Sequence, residues 1–157
     1  MDSDVTGHFV LRTDGGARGN PGPAAAAFVL EDPQGHVVRS GGRFIGETTN
    51  NVAEYEALVW GLATALDQRV KDLEVRSDSE LVVKQVRGEY RVRNANLAPL
   101  HGKVLGLLAH FRSARIMHVR RADNTAADEL ANRAMDLRST VGDGVDSSTP
   151  AQGSLFS

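Results

Sequence analysis

The amino-acid sequence predicts an α/β fold: a five-stranded mixed sheet flanked by helices, with three antiparallel strands first and parallel strands after them. Three observations carry this. Three strand-like runs follow one another near the N-terminus with only turn residues between them. From residue 50 onward, helix-period segments alternate with short strands. The length of 157 residues, with no cysteine, is enough for one domain with its own core and no covalent staples.

The first run, HFVLRTD (8–14), has the length and composition of a strand. AAAAFVLE (24–31) and GHVVRSGGRF (35–44) follow it as a meander. A loop bearing Gly15, Gly16, Gly19, Pro21, Gly22 and Pro23 separates the first pair, and DPQG, whose Pro and Gly suit a tight turn, separates the second. Asp14 therefore ends the first strand. Asparagines that can cap a helix open the segment 50–69, where Val52, Ala53, Leu58, Val59, Leu62, Ala63 and Leu66 recur near helical spacing. A strand at 72–78 leads into a short helix at 79–88, with Ser79 as cap and Gly88 as stop. Pro99 begins another helical pattern through Leu100, Val104, Leu107, Leu108 and Phe111, and a strand at 115–121 and a helix at 125–138 complete the order βββαβααβα. Phe28, Trp60 and Phe111 read as core. Residues 139–157 are rich in Gly, Ser, Thr, Asp and Pro, so the expected division is a domain at 1–138 and a flexible tail at 139–157.

Composition narrows the chemistry. The absence of cysteine excludes disulfides, thiolate metal sites and cysteine nucleophiles. MDSDVTGH is acidic and lacks an apolar leader core, and no stretch approaches the roughly 18 apolar residues of a membrane span. The expectation is a soluble, cytoplasmic protein with no membrane partner, and no motif requires more than a monomer. Net charge is −2, but Lys84, Arg87, Arg91, Arg93, Lys103, Arg112, Arg115, Arg120 and Arg121 fall in one stretch against the single acid Glu89. That stretch either faces a polyanion or is scattered over several solvated faces; charge alone leaves both open.

Four acids occupy similar places in this scheme. Asp14 and Asp78 end strands, while Glu54 and Asp128 fall in the first turns of two helices. If the two strands are neighbours, the carboxylates converge, and such a group makes sense mainly as a cage for hard divalent cations, magnesium first. Taken singly, each acid has a plainer explanation in the helix dipole or in turn chemistry.

TDGGARGNPGP, TTNNVAEYEAL, SDSELVVKQVRG and ADNTAADELAN resemble, in this order and spacing, the signature segments of type 1 ribonuclease H, especially its compact bacterial and archaeal forms. The resemblance runs from about Phe9 to Asp136. It implies the ribonuclease H-like fold and endonucleolytic cutting of the RNA strand in RNA/DNA hybrids, leaving 5′-phosphate and 3′-hydroxyl ends. It further implies Asp14, Glu54, Asp78 and Asp128 as catalytic metal ligands for two Mg²⁺ ions, with Mn²⁺ as a substitute. Asp14 would bridge both ions, Glu54 and Asp78 would hold the leaving-group side, and Asp128 the nucleophile side. Substrate contacts fall on Gly15, Asn20, Asn50 and Asn51 for ribose hydroxyls and on Thr49 for a DNA phosphate. Asn20 can equally shape its loop, and Asn50 or Asn51 can cap the helix.

The chain also departs from the family. The loop before the last helix is the short RRADN, without the histidine that many members carry, and Arg120 or Arg121 is the expected phosphate contact in its place. The long basic protrusion of many relatives is reduced to EYRVRNANLAP, leaving Arg87, Arg91, Arg93 and Tyr90 to grip substrate. Glu80 stands where many relatives have an amide. QGSLF (152–156) resembles the peptide by which bacterial replication and repair proteins hold the sliding clamp, through Gln152, Leu155 and Phe156. Two rival readings are a catalytically silent hybrid-binding module and a nuclease of the same fold acting on double-stranded RNA or on DNA.

Overall fold

A computed structural model describes residues 7–142. Its strands are β1 (Phe9–Ala17), β2 (Gly22–Glu31), β3 (Val37–Thr48), β4 (Asp72–Ser77) and β5 (Ser113–His118). Its helices are α1 (Asn50–Asp67), α2 (Glu80–Val86), α3 (Ala98–Leu108) and α4 (Thr125–Leu137), with a 3₁₀ turn at Arg121–Asp123. The expected order of elements is thus found, in one sheet arranged β3-β2-β1-β4-β5. β1 pairs antiparallel with β2 and β2 with β3, whereas β1–β4 and β4–β5 are parallel. The switch from hairpins to parallel pairing follows from the connections: turns join the first three strands, and helices carry the chain to the last two.

The two-residue repeat of β2 shows how the layers form. Phe28 and Leu30 join Leu11, Leu73, Val75 and Ile116 against Tyr55, Leu58 and Leu62 of α1, Val82, Val83 and Val86 of α2, and Val104 of α3. Ala25 and Ala27, on the opposite face, meet Ala131, Ala134 and Met135 of α4. Alanine on both surfaces lets α4 lie close. Where it crosses β3 the approach is closer still, because a Cβ on Gly42 would stand 2.5 Å from the carbonyl oxygen of Leu130. Phe28 and Phe111 are buried as expected, and Trp60 packs edge-on against Phe28 with ring centroids 4.8 Å apart.

Several boundaries move. β1 does not end at Asp14: Gly15, Gly16 and Ala17 go on pairing with Ala26, Ala25 and Ala24, so the glycines extend the strand and the loop shrinks to 18–21. β5 starts and stops earlier than 115–121: the bond from Val119 N–H to Ser77 O (2.9 Å) is the last between β4 and β5, and the 3₁₀ turn begins at Arg121. The packed chain also runs past residue 138. Val141 exchanges two backbone hydrogen bonds of 2.8 Å with Gly42 on the outer edge of β3, and its side chain is buried with the alanines beneath α4. Ser139–Val141 therefore close a sheet edge that would otherwise be open, so the first three residues of the expected tail pack on the domain. The clamp-peptide residues Gln152, Leu155 and Phe156 lie outside the described residues. Among the described residues, no helix is long and apolar enough to cross a membrane.

Candidate active site

Parallel pairing of β1 with β4, with Thr13 opposite Ser77, brings Asp14 and Asp78 side by side where the two strand lines pass the sheet's centre. Glu54 arrives from α1. It is not in the first turn: Thr49 caps that helix by accepting from the Val52 N–H (3.2 Å), and Glu54 lies one turn further in, where it is buried. A glycine makes the approach possible, because a Cβ on Gly15 would overlap the Ala53 carbonyl and crowd the Glu54 nitrogen at 2.6 Å. With hydrogen alone at that position, the α1 backbone rests on β1, and the Gly15 N–H lies close enough to the Glu54 carboxylate to favour its charged form. Asp14, Glu54 and Asp78 each place an oxygen within 4.8 Å of the others. Asp128, in the first turn of α4, stands beside Asp14 at the rim and is not part of that compact trio.

Crowding acids away from water changes their titration. Burial, then the charges of Asp78 and Asp128, push Asp14 up to about 8. Burial and the charges of Asp14 and Asp78 push Glu54 well above the carboxylate range, and the Gly15 N–H only partly offsets this. Burial and Asp128 raise Asp78 against the pull of Arg121 and His118. The nearest fixed cation, Arg121, stays 3.8 Å from Asp78 with its side chain mostly in solvent. Glu54 Oε1 and Asp78 Oδ2 are buried with no hydrogen-bond partner among the described residues. Clustered hard oxygen donors with unmet demand are the donor set that a small divalent cation requires, so these residues fit one.

The trio lies in an open cleft of about 400 Å³. Of the expected substrate residues, Gly15, Asn50, Asn51 and Arg121 line it. Asn20 and Thr49 do not line it, but Asn20 is joined to Asn50: Asn50 N–H donates to Asn20 Oδ1 (3.0 Å), and Ala17 N–H donates to Asn50 Oδ1 (2.7 Å). Both side chains thus shape the loop through their carbonyl oxygens, while neither amino group has a partner among the described residues. Thr49 is the helix cap, a role the sequence had offered to the asparagines. Arg120 turns away and pairs with Asp123 (3.3 Å), so only Arg121 of that pair reaches the cleft. On the α2–α3 connection Tyr90 is half exposed with Lys84 over its ring (5.1 Å), Arg87 pairs with Glu89 (3.1 Å), and Arg91 and Arg93 carry no ion pair among the described residues. Glu80 is engaged by Lys84 at 3.0 Å.

Three residues that matter here were not singled out from sequence. Asn124 is fully buried, donates to Thr13 O (2.8 Å) and sits against Asp78, tying β1, β4 and the start of α4 together. Arg18 lines the cleft from the turn after β1, and Asn132 lines it from α4. For Asn124 a signal existed, an asparagine just before a helix; nothing local marks the other two.

A family model described as "Reverse transcriptase-like" matches residues 12–134. The chain is 46% identical over 136 residues to the "Ribonuclease HI" of Halobacterium salinarum, an alignment covering 87% of this chain and 68% of that relative. It belongs to the ribonuclease H family. The crystal structure of RNase H1 from the same archaeon superposes with a TM-score of 0.80 at 44% identity, covering 83% of this chain and 98% of that one. LC11-RNase H1, whose structure is of a complex with an RNA/DNA hybrid, gives a TM-score of 0.78 at 40% identity over 83% of this chain and 98% of that one. The chain is therefore a ribonuclease H-type enzyme on the mixed five-stranded sheet of that family, and its acidic trio lies where β1, β4 and α1 meet.

Proposed function

We propose that this chain cleaves the RNA strand of RNA/DNA hybrids, leaving 5′-phosphate and 3′-hydroxyl ends, with Asp14, Glu54, Asp78 and Asp128 holding two Mg²⁺ ions. The observation that carries the reading is the trio of largely buried carboxylates, two of them with oxygens unpartnered among the described residues, on the floor of an open cleft. When bound, the divalent ions supply an activated water and charge stabilisation at the leaving oxygen. Everything else falls to the chain. The close seat of α1 on Gly15 sets where Glu54 enters, and Asn124 bonds to the Thr13 carbonyl beside Asp14 while facing Asp78, so the elements that carry the carboxylates are in place before substrate arrives. The amino groups of Asn20, Asn50 and Asn51 offer donors to ribose hydroxyls, and Arg121 offers a charged donor to a phosphate near the cleft. Arg91 and Arg93 extend the positive surface beyond it.

The test is incubation of labelled RNA/DNA hybrid, double-stranded RNA and double-stranded DNA with Mg²⁺, Mn²⁺ or EDTA, beside Asp14→Asn. Hybrid cleavage that needs metal and Asp14 supports the reading; cleavage surviving EDTA overturns the metal account. Binding without cleavage favours a silent module, and cutting of double-stranded RNA redirects the substrate. From sequence alone we also propose that Gln152, Leu155 and Phe156 engage a bacterial sliding clamp. Retention on immobilised clamp lost in the double variant Leu155→Ala/Phe156→Ala is the expected result, and equal retention discards the idea.

A further inference from the structure

We propose that Arg18 and Asn132 are positioning residues that fix Asp128 relative to Asp14, and thereby set how tightly the cleft takes a divalent cation; this rests on the metal-binding reading above. Asp128 is the one candidate ligand outside the compact trio, and it is carried by a helix that meets the sheet mainly through small side chains. Alanine-on-alanine packing brings α4 close but is non-directional, and provides little to stop the helix sliding or turning by a fraction of an ångström. Asn124 anchors the start of α4 through its bond to Thr13 O (2.8 Å), and the polar staple supplies direction further along the helix.

Asp128, Asn132 and Asp136 recur every four residues and so form one stripe along α4. Arg18 reaches that stripe from the turn after β1. Its guanidinium pairs with Asp136 (2.7 Å) and donates to the Asn132 side-chain oxygen (3.3 Å) and backbone oxygen (3.4 Å). With its oxygen so engaged, the Asn132 amide directs its amino group at Asp128, donating to the backbone oxygen (3.1 Å) and to the carboxylate (3.4 Å). The base of the arm is fixed too. Arg18 N–H bonds to Pro23 O (2.8 Å), and Gly22 packs against the Arg18 carbonyl so closely that a Cβ there would overlap it. β1 therefore carries Asp14 directly and, four residues later, carries the arm that places Asp128. Both ligands are referred to one strand.

Partners that orient a ligating carboxylate typically change metal affinity by about 10–100-fold when removed. The full chain and its variants Asn132→Ala, Arg18→Ala and Arg18→Lys are titrated with Mn²⁺ by calorimetry. Arg133→Ala, an exposed site on the same helix, is the control for net charge. Asn132→Ala puts a strong helix former in a helix, and Arg18 is half exposed, so both variants are expected to fold; thermal unfolding without metal checks this. The expected result is Mn²⁺ binding weakened about tenfold in Asn132→Ala and Arg18→Ala. Arg18→Lys, which keeps a cation for Asp136 but loses the fork, should fall between them and wild type, and Arg133→Ala should match wild type. In parallel, the Mg²⁺ needed for half-maximal hybrid cleavage should rise by a similar factor while the rate at saturating Mg²⁺ recovers. Wild-type Mn²⁺ affinity in both alanine variants, with only a lowered melting temperature, overturns the proposal and leaves the staple structural. Absence of Mn²⁺ binding in wild type overturns the reading of the cleft itself.

Discussion

Glu74 and Asp78 lie four residues apart along one strand line, and both carboxylates are buried, with side chains 4% and 6% exposed. Glu74 is paired with two cations, Arg76 at 2.6 Å and Arg115 at 2.7 Å, and the His8 ring lies 3.2 Å away. Burial alone would raise its pKa, but hydrogen bonds from Arg115 and Arg76 outweigh that, and the net shift is downward. Asp78 instead shares its pocket with two other acids, and its net shift is upward. The same sheet thus buries carboxylates in two ways. One cluster is neutralised by the chain itself and holds β4 to β5; the other leaves its charge to be balanced from outside.

The largest effect expected from breaking the second cluster is on activity. Asp14→Asn should reduce hybrid cleavage at least about a thousand-fold. It should also raise the melting temperature of the metal-free protein, by the equivalent of about 1–2 kcal/mol, because it removes a buried acid that must take up a proton on folding or repel its neighbours. Glu74→Ala should do the reverse, lowering stability by about 1–2 kcal/mol while hybrid cleavage and metal affinity persist. Parallel denaturant titrations and cleavage assays check both. Gly15→Ala joins the two readouts: overpacking against α1 should lower stability by about 3 kcal/mol and displace Glu54, so activity falls as well.

The smallest and most diagnostic effect is on pH dependence. Asp14, Glu54 and Asp78 all shift upward, so the metal-free native protein keeps protons that the unfolded chain has lost. Its stability should be full below the unfolded value of 3.8 for Asp14 and decline as pH rises toward about 8. Glu74 shifts downward, so its contribution is present above its ordinary value of 4.5 and is lost as pH falls. Unfolding midpoints across pH should accordingly show a declining neutral limb that Asp14→Asn flattens and an acid limb that Glu74→Gln flattens.

Much of this was legible in the sequence because it is local. The order of elements along the chain, the helix starting at 50, the cap at Ser79 and the four acidic motifs depend on periodicity, caps and short segments. What was missed depends on distant pairing. Gly15 and Gly16 read as loop residues because glycine weakens an isolated strand, yet β2 supplies alanines opposite them and α1 needs the space they leave. Val141 sits in a polar segment, and only the open edge of β3 gives it a place. Arg120 and Arg121 are equivalent as neighbours in sequence; the 3₁₀ turn sends one to Asp123 and the other to the cleft. Arg18 and Asn132 lie 114 residues apart, and no pattern in either segment announces the other.

The central claim is that the acidic trio is held in place awaiting a cation. Thermal unfolding of wild type and Asp14→Asn near pH 7.5, each with EDTA or with millimolar Mg²⁺ or Mn²⁺, tests it most directly. A metal-dependent rise in melting temperature in wild type, absent from Asp14→Asn, is the predicted result. Equal melting temperatures with and without metal in wild type would contradict it.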